Sequence, residues 1–290
     1  MNRSLDVFIK LYKPYEIRRI NSVYVFKTMN GNYVCKCNPK IDYNKLYNYL
    51  YSRGFNYLPI LSLDSRDDMA VFNYEDDVVI DAYQKGVDLI KLVALLHLKT
   101  SYFKNITSDK YKEVYDNITS NLKYLDDLYN KMFNTFLYED YFVPSHYLFL
   151  RNFSLVYNAI QYSLNELDNW YSLIKDKNRE RIVLVHNNLR LDHLLKNSNE
   201  YLISWDNYTY DTPVLDLYHF YLNEWMNVDF KNIYNVYNDT FSLLEEEDKL
   251  FKILISIPYK IDLGEDEYLN CRKVREMINY LNNSWNFIST

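Results

Sequence analysis

Residues 182–220, IVLVHNNLRLDHLLKNSNEYLISWDNYTYDTPVLDLYHF, constrain what this chain can fold into more than any other stretch. The apolar run at 182–185 predicts a buried strand. A polar loop follows it, then a second strand carrying Trp205, then an acidic turn at 211–216 that leads into a helix. Asp216 falls at the start of that helix. A carboxylate there accepts backbone N–H bonds and meets the positive end of the helix dipole.

The remaining 250 or so positions set the class. A chain of 290 residues, 48% of them hydrophobic, has enough length and apolar content for a sizeable core, as one two-lobed unit or two small ones. The 32 tyrosines and four glycines are unusual. The tyrosines are spread along the chain rather than interleaved with Lys and Arg, so they follow the composition of an AT-rich genome, not a stacking surface for nucleic acid. A formal charge of −6 also argues against nucleic acid as the main partner, because phosphate binding needs a basic surface. Cys35 and Cys37 would point to opposite faces of a strand, and Cys271 leaves an odd count. No disulfide or shared metal is expected, and a reducing compartment follows. The N-terminal stretch MNRSLDVFIKLYKPYE lacks the apolar run of a signal peptide, and no segment reaches membrane-spanning length. The expected location is inside the cell, in the cytoplasm, with no membrane partner.

Along the chain, the first 80 residues favour strands. YEIRRINSVYVFK and NYVCKCN alternate, and TMNG joins them with Asn30-Gly31 at the turn. DYNKLYNYLYSRG predicts a helix of three turns ended by Gly54. YLPILSLDS and DDMAVFNYED predict two more strands. From residue 86 the pattern is helical: Leu89, Leu92, Val93 and Leu96 share one face, and long amphipathic helices are expected over 108–138 and 145–175. Beyond Asp216 three or four helices follow, interrupted by IPYKIDLGED.

The 182–220 segment resembles the catalytic core of the aminoglycoside phosphotransferase and choline kinase-like family. There the loop reads H-G-D-L-x-x-x-N-[IL]-L, the second strand I-D-[WF], and the helix start D-P-x-x-D-[LI]. The element order over nearly the whole chain fits the same resemblance. It implies an α+β, protein-kinase-like, two-lobed fold. A small mixed β-sheet lobe with one helix occupies residues 1–78, and a larger, mainly helical lobe occupies residues 79–290.

The resemblance assigns roles position by position. Lys36, in VCKC, stands where the family has its phosphate-contacting lysine, and a solvent-facing strand lysine is the alternative. The helix over 42–53 offers Asp42 and Arg53 but no glutamate to pair with Lys36, so that ion pair is absent or comes from elsewhere. The phosphate loop would be Ile20-Asn21-Ser22-Val23, without the glycine that lets backbone amides approach a phosphate. His186 and Leu189 match the frame, and His186 is expected to bond within the loop. The catalytic aspartate is replaced by Asn188, which can orient a hydroxyl but is a negligible base; losing a positioned base costs about 10²–10⁴ in rate. The two Mg²⁺-ligand positions carry His193 and Ser204, a poor ligand for a hard cation and an uncharged one. Asp192 and Asp206 are possible substitutes, Asp206 because strand alternation would place it on the face of Ser204. Zinc held by His186, His193 and Asp192 is a weaker alternative. His97, in LLHLKT, matches a family position expected in the core. Asp211 and Asp216 keep the structural turn.

A kept scaffold without reactive groups implies a pseudokinase, with no certain cofactor, and a binding or scaffold role. Arg53-Gly54-Phe55 followed by a proline, and the segment ISIPYK between C-terminal helices, resemble the CotS-like spore-coat branch. That likeness implies a protein partner in coat assembly. The alternative is an active ATP- and Mg²⁺-dependent phosphotransferase acting on a small-molecule hydroxyl.

Overall fold

The computed structural model describes residues 3–21 and 23–289, so Ser22 of the expected phosphate loop lies outside the described residues. The N-terminal part is a four-stranded sheet of β1 (Glu16–Ile20), β2 (Val23–Thr28), β3 (Gly31–Cys37) and β4 (Met69–Asn73), in that order. It is antiparallel throughout rather than mixed, because its neighbouring strands all pair antiparallel. The long first strand expected from YEIRRINSVYVFK is two strands. Asn21 takes a left-handed φ of 52° and reverses the chain between them. Gly31, at φ 138°, opens β3 after the Met29-Asn30 turn, and the Thr28 hydroxyl donates to its carbonyl at 2.8 Å.

Alternation gives the sheet two unlike faces. Phe26, Cys35, Met69 and Val71 are buried on one of them, under a helix that the sequence reading did not anticipate, α1 (Arg3–Tyr12). Leu5 and Phe8 of α1 pack there, with the Phe8 ring 4.2 Å from that of Phe26. The opposite face, carrying Val34 and Lys36, looks into a cleft. Beside it lies α2 (Tyr43–Ser52), capped by the Asp42 carboxylate on the Lys45 amide at 3.0 Å and followed by Gly54 at φ 72°. The strand expected over 57–65 is reduced to a single bridge, Leu61 to Phe72, since Pro59 brings no N–H to a ladder.

The rest is helical. It comprises α3 (Ala82–Thr100), α4 (Ser108–Leu137), α5 (Pro144–Ile174), α6 (Val214–Glu224), α7 (Phe230–Thr240), α8 (Glu245–Ser256) and α9 (Glu267–Ile288). Short strands are set among them: β5 (Tyr102–Asn105), β6 (Arg179–Val185) and β9 (Thr209–Asp211) form one antiparallel sheet. A second hairpin pairs β7 (Leu194–Lys196) with β8 (Glu200–Leu202). Gly86 lets α3 lie close to the start of α7, for a Cβ there would stand 2.9 Å from Val228 Cγ1. One apolar core runs from Tyr43 and Leu46 of α2 through α3, β6 and α6 into Met277 and Leu281 of α9. No helix among the described residues is long and apolar enough to cross a membrane.

Candidate functional site

The loop after β6 is held from below by one face of α6. Asp216 is fully buried (0% exposed), and its two oxygens accept the backbone N–H of His186 (2.8 Å) and of Asn187 (2.7 Å). His97 of α3 donates Nε2–H to the same carboxylate at 3.0 Å and meets the Tyr237 hydroxyl through Nδ1 at 2.7 Å. Burial alone would push the Asp216 carboxyl up, but the hydrogen bond and charge of His97 leave it below its usual range. Two turns on, the Asn223 side-chain amide donates to the Leu189 carbonyl at 2.8 Å, and Glu224 accepts the Leu191 N–H at 3.0 Å. Asn223 and Glu224 were missed by the sequence reading. Their spacing of seven and eight residues from Asp216 puts them on its helix face and is the signal that could have found them. Asp211 accepts the Thr212 amide at 2.7 Å and so stays within its own turn.

His186 is enclosed. Its Nε2–H donates to the Ile203 carbonyl at 2.7 Å, and Nδ1, also buried, has no hydrogen-bond partner. Burial outweighs the nearby Asp216 charge and pushes this imidazole down to about 4. The His193 ring lies 5.4 Å from it, again with an unpartnered Nδ1, and burial lowers its pKa too.

The cleft between the sheet and the β7–β8 hairpin encloses about 340 Å³. Val34, Phe72, Leu195 and Ile203 give it apolar walls, and Lys36 and Ser204 are among its polar lining. Lys36 is an interior group of this cleft, not a solvent-facing lysine. Its ammonium forms an ion pair with Asp206 and donates to the Tyr43 hydroxyl at 3.2 Å. Tyr43 donates in turn to the other oxygen of Asp206 at 3.1 Å. Burial, then the Asp206 charge, raises the Tyr43 phenol, so it is a donor and never an anion here. The carboxylate that α2 lacks therefore comes from a residue 170 positions away. The alternation invoked for Asp206 does not apply, because Ser204 is left-handed (φ 68°, ψ 44°) and a 3₁₀ turn, Trp205–Asn207, follows it. The Trp205 ring, anchored by its Nε1–H on the Leu202 carbonyl at 2.8 Å, fills the space beneath.

These side chains do not fit a Mg²⁺–nucleotide site. Hard cations take charged oxygens, and Asn188, His193 and Ser204 bring none. Asp206 is spent on Lys36. Asp192 is 71% exposed and turned to Arg190, 3.5 Å away, so it is not brought to the cleft. The zinc alternative is not assembled either, for Asp192 faces solvent while His186 is fully buried. Among the described residues no group of three or more His, Cys, Asp or Glu side chains is placed to hold a metal ion.

No family model matches the sequence, and no curated protein matches it. Solved structures do. An aminoglycoside phosphotransferase from Alicyclobacillus acidocaldarius superposes with a TM-score of 0.68 at 9% identity, covering 95% of this chain and 91% of that one. A spectinomycin phosphotransferase crystallised with ADP and spectinomycin gives 0.54 at 11% identity, over 100% and 99%. The choline kinase of Streptococcus pneumoniae gives 0.51 at 15%, over 99% and 96%. With a small antiparallel sheet ahead of a mostly helical remainder, the chain has the α+β, protein-kinase-like fold of the small-molecule phosphotransferases.

Proposed function

We propose that this protein is a non-catalytic member of that fold, one that binds through the cleft and serves as a scaffold rather than transferring phosphate. The observation that carries this reading is the closed set Lys36–Tyr43–Asp206. Phosphoryl transfer in this fold is mostly positioning and charge neutralisation by metal and lysine. Here the metal positions hold His193 and Ser204, and Asp206, the acid that could stand in for them, is engaged by Lys36. Asn188 sits at the hydroxyl-orienting position without a charge to accept a proton. The coat-assembly part of the proposal is supported by the sequence likeness around Arg53-Gly54-Phe55 and ISIPYK, which fits a protein partner inside the cell.

The purified protein is expected to release no ADP from ATP above background in the presence of Mg²⁺ and sugars, amines or aminoglycosides. Turnover that Asp206→Ala abolishes would overturn the reading and establish a phosphotransferase using an atypical acid. A thermal-shift series gives the second readout, since a ligand that binds only the folded state raises Tm. Any rise with ATP is expected to be the same with and without Mg²⁺; a rise that requires the metal counts for the enzyme.

A further inference from the structure

Two exposed surfaces, far apart in sequence, complement each other in charge and apolar character; the first lies outside the cleft and the second reaches its rim at Ile20. The first is the turn between α4 and α5. Tyr141 is 91% exposed and Tyr138 83%, and Leu137, Phe142, Val143 and Tyr147 are exposed beside them. Residues 137–147 carry Glu139 and Asp140 and no Lys or Arg. The start of α9 adjoins this turn, because Glu267 accepts both the amide and the hydroxyl of Ser145, at 2.5 and 2.9 Å. That neighbour adds the exposed Tyr268 and Leu269. Residues 261–271 hold Asp262, Glu265, Asp266 and Glu267, again without a Lys or Arg. An exposed apolar patch of this kind marks an interaction site.

The second surface runs from the end of α1 along β1, the edge strand of the four-stranded sheet. Residues 1–37 contain seven Lys and Arg against two acids, in a chain whose total is −6. Lys10, Lys13, Arg18 and Arg19 are exposed, and so are the apolar Leu11, Tyr15, Ile17 and Ile20 between them. The one acid of β1, Glu16, is held by Arg18 and Lys27. Because both surfaces are open, neither covers the other within a single chain.

We propose that the occupant of each surface is the other surface on a second copy of this chain: the acidic aromatic turn of one molecule docks on the basic edge of the next. Aromatic rings stack on guanidinium and ammonium groups, and the carboxylates around them meet the same cations. Joining two different patches is a head-to-tail contact. Each added copy leaves one patch of either kind open, so assembly proceeds to a ring or an open chain rather than stopping at a symmetric dimer.

Sedimentation velocity on the full chain tests this, in low and in high salt. Mass is expected to grow with concentration at about 50 mM salt and to fall back to monomer at about 500 mM, where exposed charges are screened. Arg18→Glu with Arg19→Glu, or Asp140→Lys with Glu265→Lys, is expected to leave monomer at every concentration while circular dichroism stays unchanged. A chain carrying both reversals recovers association, since the attraction is restored with the signs exchanged; this recovery separates the proposal from loss by misfolding. Monomer for the natural chain throughout, or association that survives either reversal, overturns it. Restoration by a different basic protein but not by the doubly reversed chain also overturns it and identifies a foreign partner.

Discussion

Asp216→Ala is expected to cost this protein about 3–5 kcal/mol, the range for removing one partner of a buried charged network. The substitution deletes an acceptor that holds three donors at once: the amides of His186 and Asn187 and the Nε2–H of His97. All are buried or nearly so, and water cannot replace the carboxylate without opening the α3–α6 contact. In a domain of this size the Tm falls by on the order of 10 °C. Asp216→Asn is the control. The amide keeps one oxygen but turns an –NH₂ towards a backbone N–H, so it is expected to lose nearly as much as alanine. A Tm within 2 or so degrees of the natural chain for the asparagine variant would mean that shape, not hydrogen-bond acceptance, holds the loop.

The second large effect is in pH. The folded-state imidazole of His186 is pushed down to about 4 by burial, against 6.5 for an ordinary one. Above pH 6.5 the group is neutral in both the folded and the unfolded chain, and its contribution to stability is complete. Below 6.5 the unfolded chain takes up a proton that the folded chain declines, so stability falls by about 1.4 kcal/mol per pH unit until the folded value is reached. Between pH 6.5 and 5, before most carboxylates titrate, His186 alone accounts for a loss of about 2 kcal/mol. His193 and His219, also lowered by burial, act in the same direction. The measurement is the urea midpoint from pH 7.5 to 5 for the natural chain and for His186→Gln, whose amide can still donate to the Ile203 carbonyl. The natural chain is expected to lose stability more steeply by about one proton's worth. Equal slopes would show that His186 takes up its proton as readily in the folded chain as in the unfolded one.

How far these features can be read in the sequence depends on how local they are. The 182–220 segment announces its architecture because strand, loop, turn and helix start are written in neighbouring residues, and Asp216 was legible from its place at a helix start. The helices over 108–138 and 145–175 were legible within a residue at each end, since thirty-residue amphipathic patterns leave little ambiguity. Short elements were not. The four residues of β5 and the three of β9 are too few for any period to show. Helix α1 was overlooked although Leu5, Phe8 and Tyr12 repeat at helical spacing; the stretch was judged only for what it lacked. The site divides along the same line. That α2 lacks a glutamate was visible, but that Asp206 supplies the carboxylate was not. Its direction is set by a left-handed serine and a 3₁₀ turn, and its partner lies in the other part of the chain.

The bond between Lys36 and Asp206 also fixes what the cleft can select. A ligand that brings its own anionic group towards Lys36 must share the ammonium with a carboxylate already in place, since two of its three N–H donors go to Asp206 and Tyr43. An uncharged ligand with a flat apolar body leaves that bond intact and still covers Val34, Phe72 and Ile203. The pair thus sets a criterion of charge at the cleft ahead of any criterion of shape.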